Sequence, residues 1–98
     1  TRAALIRNWT EAKDPSCREH VTPYFYRNPE LFRLAHVTNS TDESGHRWTV
    51  DTPEDLQLVR EIFGHFQGRE FGWLDVMSAF RTHPEWMQIN AHVQQKAA

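Results

Sequence analysis

Five prolines, Pro15, Pro23, Pro29, Pro53 and Pro84, constrain this chain more than any other feature. An interior proline removes an amide donor and clashes with the carbonyl four residues back, so no long helix can pass through one. Before the first, Leu5, Ile6, Trp9 and Ala12 recur at helical spacing, which predicts an amphipathic helix over 2–13 that Asp14-Pro15 ends. Ser16-Cys17-Arg18-Glu19 has the form of a capping box and predicts a second helix start. Pro23 then either kinks that helix or, with Thr22 as cap, opens a fresh one carrying Tyr24, Phe25 and Tyr26. Asn28-Pro29 closes the segment.

Beyond Pro29, Leu31-Phe32-Arg33-Leu34-Ala35-His36-Val37 is short, largely apolar and bounded by a polar run, as suits a buried strand. A shorter extended stretch is expected at His46-Arg47-Trp48-Thr49-Val50. Thr52 as cap, Pro53 at the first position and Glu54 and Asp55 at the positive helix end make a strong helix start. Leu56, Val59, Phe63 and Phe66, flanked by Ile62, are its expected core face, with Gly68 placed to stop it. Trp73, Leu74, Met77 and Phe80 form a further apolar face that ends near Thr82-His83-Pro84, before a last turn at Pro84–Met87. No repeat or linker divides the 98 residues, which read as a single unit.

A net charge of −2 leaves no basic excess for nucleic acid or an anionic membrane, so neither is an expected partner. The single cysteine, Cys17, excludes an intrachain disulfide and fits a reducing, cytoplasmic setting. The hydrophobic share of 39% allows a modest core, to which twelve aromatics contribute. The six histidines lack metal-ligand spacing.

Chemistry is most legible at Val50-Asp51-Thr52-Pro53-Glu54-Asp55-Leu56, where a carboxylate closes an extended stretch just before a capped helix. Asp51 there either supports the helix start or faces a ligand. Three segments occur in order: Arg18-Glu19-His20-Val21-Thr22-Pro23-Tyr24, then Arg47 to Leu56, then Glu85-Trp86-Met87-Gln88-Ile89-Asn90-Ala91-His92-Val93. Together they resemble the C-terminal portion of the CMP-sugar synthetase-like cytidylyltransferases, in the branch named for spore coat polysaccharide biosynthesis protein F. The acylneuraminate and 3-deoxy-manno-octulosonate enzymes are related to it, and the likeness runs from about Leu5 to His92.

The resemblance implies an α/β chain, the C-terminal part of a three-layer nucleotide-diphospho-sugar transferase fold, helix-rich with one or two strands. It implies transfer of CMP from CTP to a sugar acid for polysaccharide or glycoconjugate synthesis, with release of pyrophosphate. Magnesium is the implied cofactor, since a hard cation bridging phosphate oxygens steadies the charge on the leaving group. Asp51 matches a metal-binding Asp of that family. Glu19 and His20 match its Glu-His element near the sugar site and subunit contact, and a homodimer is implied. Arg47, beside Asp51, either reaches a phosphate or sugar carboxylate or forms a plain surface ion pair.

The family's phosphate loop and its first metal Asp have no counterpart here. The chain is therefore expected to be a piece of a longer enzyme, inactive alone, in keeping with the absent initiator Met. The alternative is a non-catalytic docking or dimerisation module, with Tyr24 to Phe32 as its contact surface.

Overall fold

Thr1 opens helix α1 (Arg2–Glu11) by accepting a hydrogen bond from the Ala4 amide through its hydroxyl. The computed structural model describes residues 1–96. They fall into two units, Thr1–Thr38 and a second that begins at Asn39.

In the first unit, α1 is followed by α2 (Pro15–Glu19) and α3 (Pro23–Arg27). The cap of α2 is Asp14, whose carboxylate takes the Ser16 and Cys17 amides, so the expected Ser16–Glu19 capping box does not form. Aspartate outcompetes serine here because it sits one residue before a proline that is already set for the first helical position. Pro23 does open its own helix, although the Thr22 side chain makes no capping bond. The inward side of α1 is Asn8 and Ala12, not its large apolar residues. The Asn8 side-chain amide donates to the Val21 carbonyl at 2.6 Å, which ties α1 to the segment between α2 and α3. Glu11 is held by Arg7 and by the Tyr24 hydroxyl, each at 3.0 Å. The Arg7 bond is the main reason its carboxyl lies below the usual range. Phe32 meets Tyr24 and Phe25 edge-on.

The two expected strands are absent. Residues 31–37 and 46–50 run as coil, and no strand occurs among the described residues. An extended segment becomes a strand only when a neighbour takes its amides and carbonyls, and no such neighbour lies beside these two. Val37, expected to be buried, is 99% exposed. The three-layer α/β arrangement is thereby corrected: the described residues are built of helix and coil.

In the second unit, α4 (Pro53–Phe66) and α5 (Trp73–Thr82) are joined by a short connection, and α6 (Trp86–Ile89) packs against α4. Helix α4 starts where the sequence predicts, with Thr52 as cap in a full capping box with Asp55. It ends at Gln67, in the left-handed region at φ 49°, followed by Gly68 at φ 78°. Its buried face is Asp55, Leu58, Ile62 and Phe66, whereas Leu56 and Phe63 are exposed. The expected face is thus rotated, with only Phe66 and the flanking Ile62 retained. Helix α5 likewise buries Val76, Ala79 and Phe80 and exposes Trp73 and Leu74.

Leu58, Ile62, Phe66, Val76, Ala79, Phe80 and Trp86 form one core cluster, with Trp48, Phe71, Met87 and Ile89 partly buried against it. Leu58, only 2% exposed, lies within it. Leu58→Ala is expected to cost about 2–5 kcal/mol in chemical denaturation, the transfer loss plus an unfilled cavity. A loss below about 1 kcal/mol would show that the site collapses around the smaller residue.

Candidate functional site

The chain's tightest polar cluster stands at the start of α4, and its centre is Asp55 rather than Asp51. Thr52 and Asp55 satisfy each other's amides: the Asp55 N–H donates to Thr52 Oγ1 at 3.3 Å, and the Thr52 N–H donates to Asp55 Oδ2 at 3.0 Å. That reciprocal cap turns the Asp55 carboxylate inward, where its side chain has 0% exposure. A buried carboxylate needs a counter-charge and a full set of donors. Arg47 supplies the counter-charge and two of the donors, through Nε to Oδ1 and through Nη2 to Oδ2, each at 2.9 Å. The Asp51 amide donates to Oδ2 at 3.0 Å, and Asn90 Nδ2 donates to Oδ1 at 2.9 Å. The same Asn90 nitrogen donates to the Arg47 carbonyl at 3.0 Å, binding the segment after α6 to the coil before α4.

Arg47 is the main cause holding the Asp55 carboxyl far below the usual carboxylate range, against desolvation, which acts the other way. In turn the Asp55 bond raises the Arg47 guanidinium above its ordinary value. Its side chain is 15% exposed, so the pair is an interior clamp rather than a surface ion pair.

Asp51 lies at the rim of this clamp, its side chain 67% exposed. Its Oδ2 accepts from Arg47 Nη2 at 2.9 Å, while Oδ1 makes no hydrogen bond among the described residues. A cleft of about 270 Å³ opens beside it, lined by Arg47, Asp51, Thr52, Gln95 and Lys96 among others. The remaining guanidinium nitrogen, Arg47 Nη1, donates to Gln95 Oε1 at 2.6 Å in this cleft.

Of the residues singled out in the sequence, Arg47 and Asp51 are therefore brought together. Glu19 and His20 stand exposed at the end of α2 in the first unit. Tyr24, Phe25 and Phe32, part of the expected contact surface, are engaged with one another, and Tyr26 alone of α3's aromatics is largely exposed. Asp55 and Asn90 were not singled out as site residues. Thr-x-x-Asp at 52–55 is itself a capping-box signal and could have marked Asp55 as turned inward, but nothing local marks Asn90.

Magnesium does not fit these residues alone. Asp55 is fully engaged, Asp51 offers one free oxygen, and Arg47 already lies on its other one. Among the described residues no three His, Cys, Asp or Glu side chains converge as a metal site would require. One carboxylate with a neighbouring guanidinium does not make a magnesium site by itself, because the ion keeps its waters unless several hard oxygens replace them.

No family model matches the chain, and no solved structure matches it. It is similar to the uncharacterized protein MJ1063 of Methanocaldococcus jannaschii, 34% identical over 96 residues. That match takes in 96% of this chain but only 40% of the archaeal protein. No helix among the described residues is long and apolar enough to cross a membrane.

Proposed function

We propose that this chain is a C-terminal segment of a cytidylyltransferase that moves CMP from CTP to a sugar acid, and that it contributes the cleft beside Asp51. The observation that carries the reading is a half-free carboxylate at the start of a 14-residue helix, its backbone held by a buried Arg47–Asp55 clamp. A group that must meet a phosphate needs a fixed backbone, since a small misplacement costs rate steeply. Lys96 lines the same cleft and supplies positive charge suited to phosphate oxygens. The order of the three resembling segments supports the same class, because the second of them holds Arg47, Asp51, Thr52 and Asp55.

In this reading Asp51 is one of several carboxylates that hold magnesium in a longer enzyme, the others coming from outside these 98 residues. Glu19 and His20 are assigned to sugar or subunit contacts. The exposed Leu5, Ile6 and Trp9 of α1 support a homodimer contact. The test is pyrophosphate release by the complete protein from which this segment comes. It is supplied with each nucleoside triphosphate, magnesium and a panel of sugar acids that includes 3-deoxy-manno-octulosonate and N-acetylneuraminate. Release that needs both CTP and a sugar acid is the expected result. Absence of CTP binding and of release with every pair overturns the proposal.

A further inference from the structure

Helix α4 carries apolar side chains on two of its sides. One set, Leu58, Ile62 and Phe66, lies in the core cluster of the second unit. The other is bare: Leu56 is 39% exposed and Phe63 61%. These two stand seven residues apart, hence on one side of the helix, with Val59 half-buried between them. The Phe63 ring meets Phe71 edge-on at 5.1 Å between centroids, so the second stripe runs off the end of α4 onto the connection to α5. Trp73 and Leu74 follow directly in the first turn of α5, at 52% and 65% exposed.

A helix at the surface of a protein needs one apolar stripe, whereas a helix apolar on two sides is suited to lie between two packed layers. Each square ångström of apolar surface left in water forgoes about 25 cal/mol, and a large bare patch usually marks an interaction surface. The stripe of Leu56, Val59, Phe63 and Phe71 contains no charged side chain, as the centre of an interface requires. An anionic membrane is a poor match. Helices that lie in a membrane surface carry Lys and Arg in excess beside the apolar face, and in the second unit acidic residues outnumber basic ones.

More of the same polypeptide is the better match. The archaeal relative aligns with nearly all of this chain and has more than half of its own length outside the match. A tethered segment docks at the high effective concentration that its linkage provides, so an apolar face without ion pairs is enough to hold it. We infer that the stripe through Leu56, Phe63 and Phe71, with Trp73 and Leu74, is an internal interface. In the complete protein an apolar segment of the same polypeptide, from outside these 98 residues, covers it. The inference rests on the longer protein of the proposed function but not on CMP transfer, so a negative pyrophosphate assay leaves it standing.

The test is hydroxyl-radical footprinting of the complete protein, native and urea-unfolded, read residue by residue in a mass spectrometer. A bare face would let Phe63, Trp73 and Leu74 react at about half to two-thirds of the unfolded rate, in proportion to their exposure. A covered face should hold all three below about a tenth of it, the level of a core side chain. Photo-crosslinking then identifies the cover, with p-benzoyl-phenylalanine introduced at Phe63 in one variant and at Leu74 in a second. The expected product has the mass of a single chain and joins either position to a peptide outside the 98 residues. Reaction at the bare-face rate, a product with the mass of two chains, crosslinks confined to these 98 residues, or no crosslink from either position each overturns the inference.

Discussion

Asp55→Ala lowers the melting temperature of the chain by roughly 10–20 °C, the largest loss expected of any single exposed or buried polar change in it. The substitution removes more than an ion pair. It leaves the Arg47 guanidinium, only 15% exposed, without the charge that justifies its burial. It also frees the Asp51 and Thr52 amides and strips Asn90 of one of its two acceptors. Breaking one side of a buried pair is costly because the surviving charge stays desolvated, and the cap is lost with it. Asp55→Asn should fall between parent and Ala, since it keeps the shape and one acceptor oxygen but not the charge. A melting temperature for Asp55→Ala within a few degrees of the parent would show that Arg47 simply turns out to solvent.

The same clamp fixes the direction of the acid response. The folded Asp55 carboxyl takes up a proton only well below the ordinary Asp value, so in that interval the unfolded chain binds more protons. Stability from the clamp is therefore complete above the usual Asp range near pH ~4 and declines as the pH falls below it. Denaturant midpoints measured through this acid interval should drop more steeply in the parent than in Asp55→Asn. Parallel profiles would remove Asp55 as the source.

Asp51→Ala, four residues earlier, has the opposite signature. Under the proposed function, it should lower CTP- and sugar-acid-dependent pyrophosphate release by the complete protein by about a thousandfold or more. A carboxylate that fixes a divalent cation on a phosphate supplies several kcal/mol, at about 1.4 kcal/mol per factor of ten. The melting temperature should hardly move, because the side chain is 67% exposed and the bonds that orient the segment come from its backbone amide. Reading both quantities on one variant separates chemistry from folding. A rate near that of the parent would sink the metal-ligand role of Asp51 even if the transferase activity itself stands.

The helix starts were legible in the sequence because capping is local: Thr52, Pro53 and Asp55 carry their signal within four residues, and α4 begins there. The faces were not. On α4 the apolar set Leu56, Val59, Phe63 and Phe66 and the buried set Asp55, Leu58, Ile62 and Phe66 both recur at helical spacing. Hydropathy chose the first, since it cannot anticipate an aspartate turned inward by an arginine eight residues away. The segment 31–37 is apolar enough for a strand, but apolar content does not supply a neighbouring strand to take its backbone hydrogen bonds. Within the site, Asp51 could be found from its place just before a capped helix, and Arg47 from standing near it. Asn90 joins across 43 residues to the Arg47 carbonyl and across 35 to Asp55, and no sequence window spans that distance.

The clamp also sets where this chain can tolerate changes in length. Arg47, Asp51, Thr52 and Asp55 meet through bonds that count residues: three, four and eight positions apart. One residue inserted anywhere between Arg47 and Asp55 would move the carboxylate off the guanidinium, and one inserted after Thr52 would take the two amides off the carboxylate as well. The run from Asn39 to Gly45 is bonded largely to itself, through Asn39 to Thr41 and Ser44 to Asp42. Insertions and deletions among relatives should therefore gather in that run and be absent from the nine residues that follow His46.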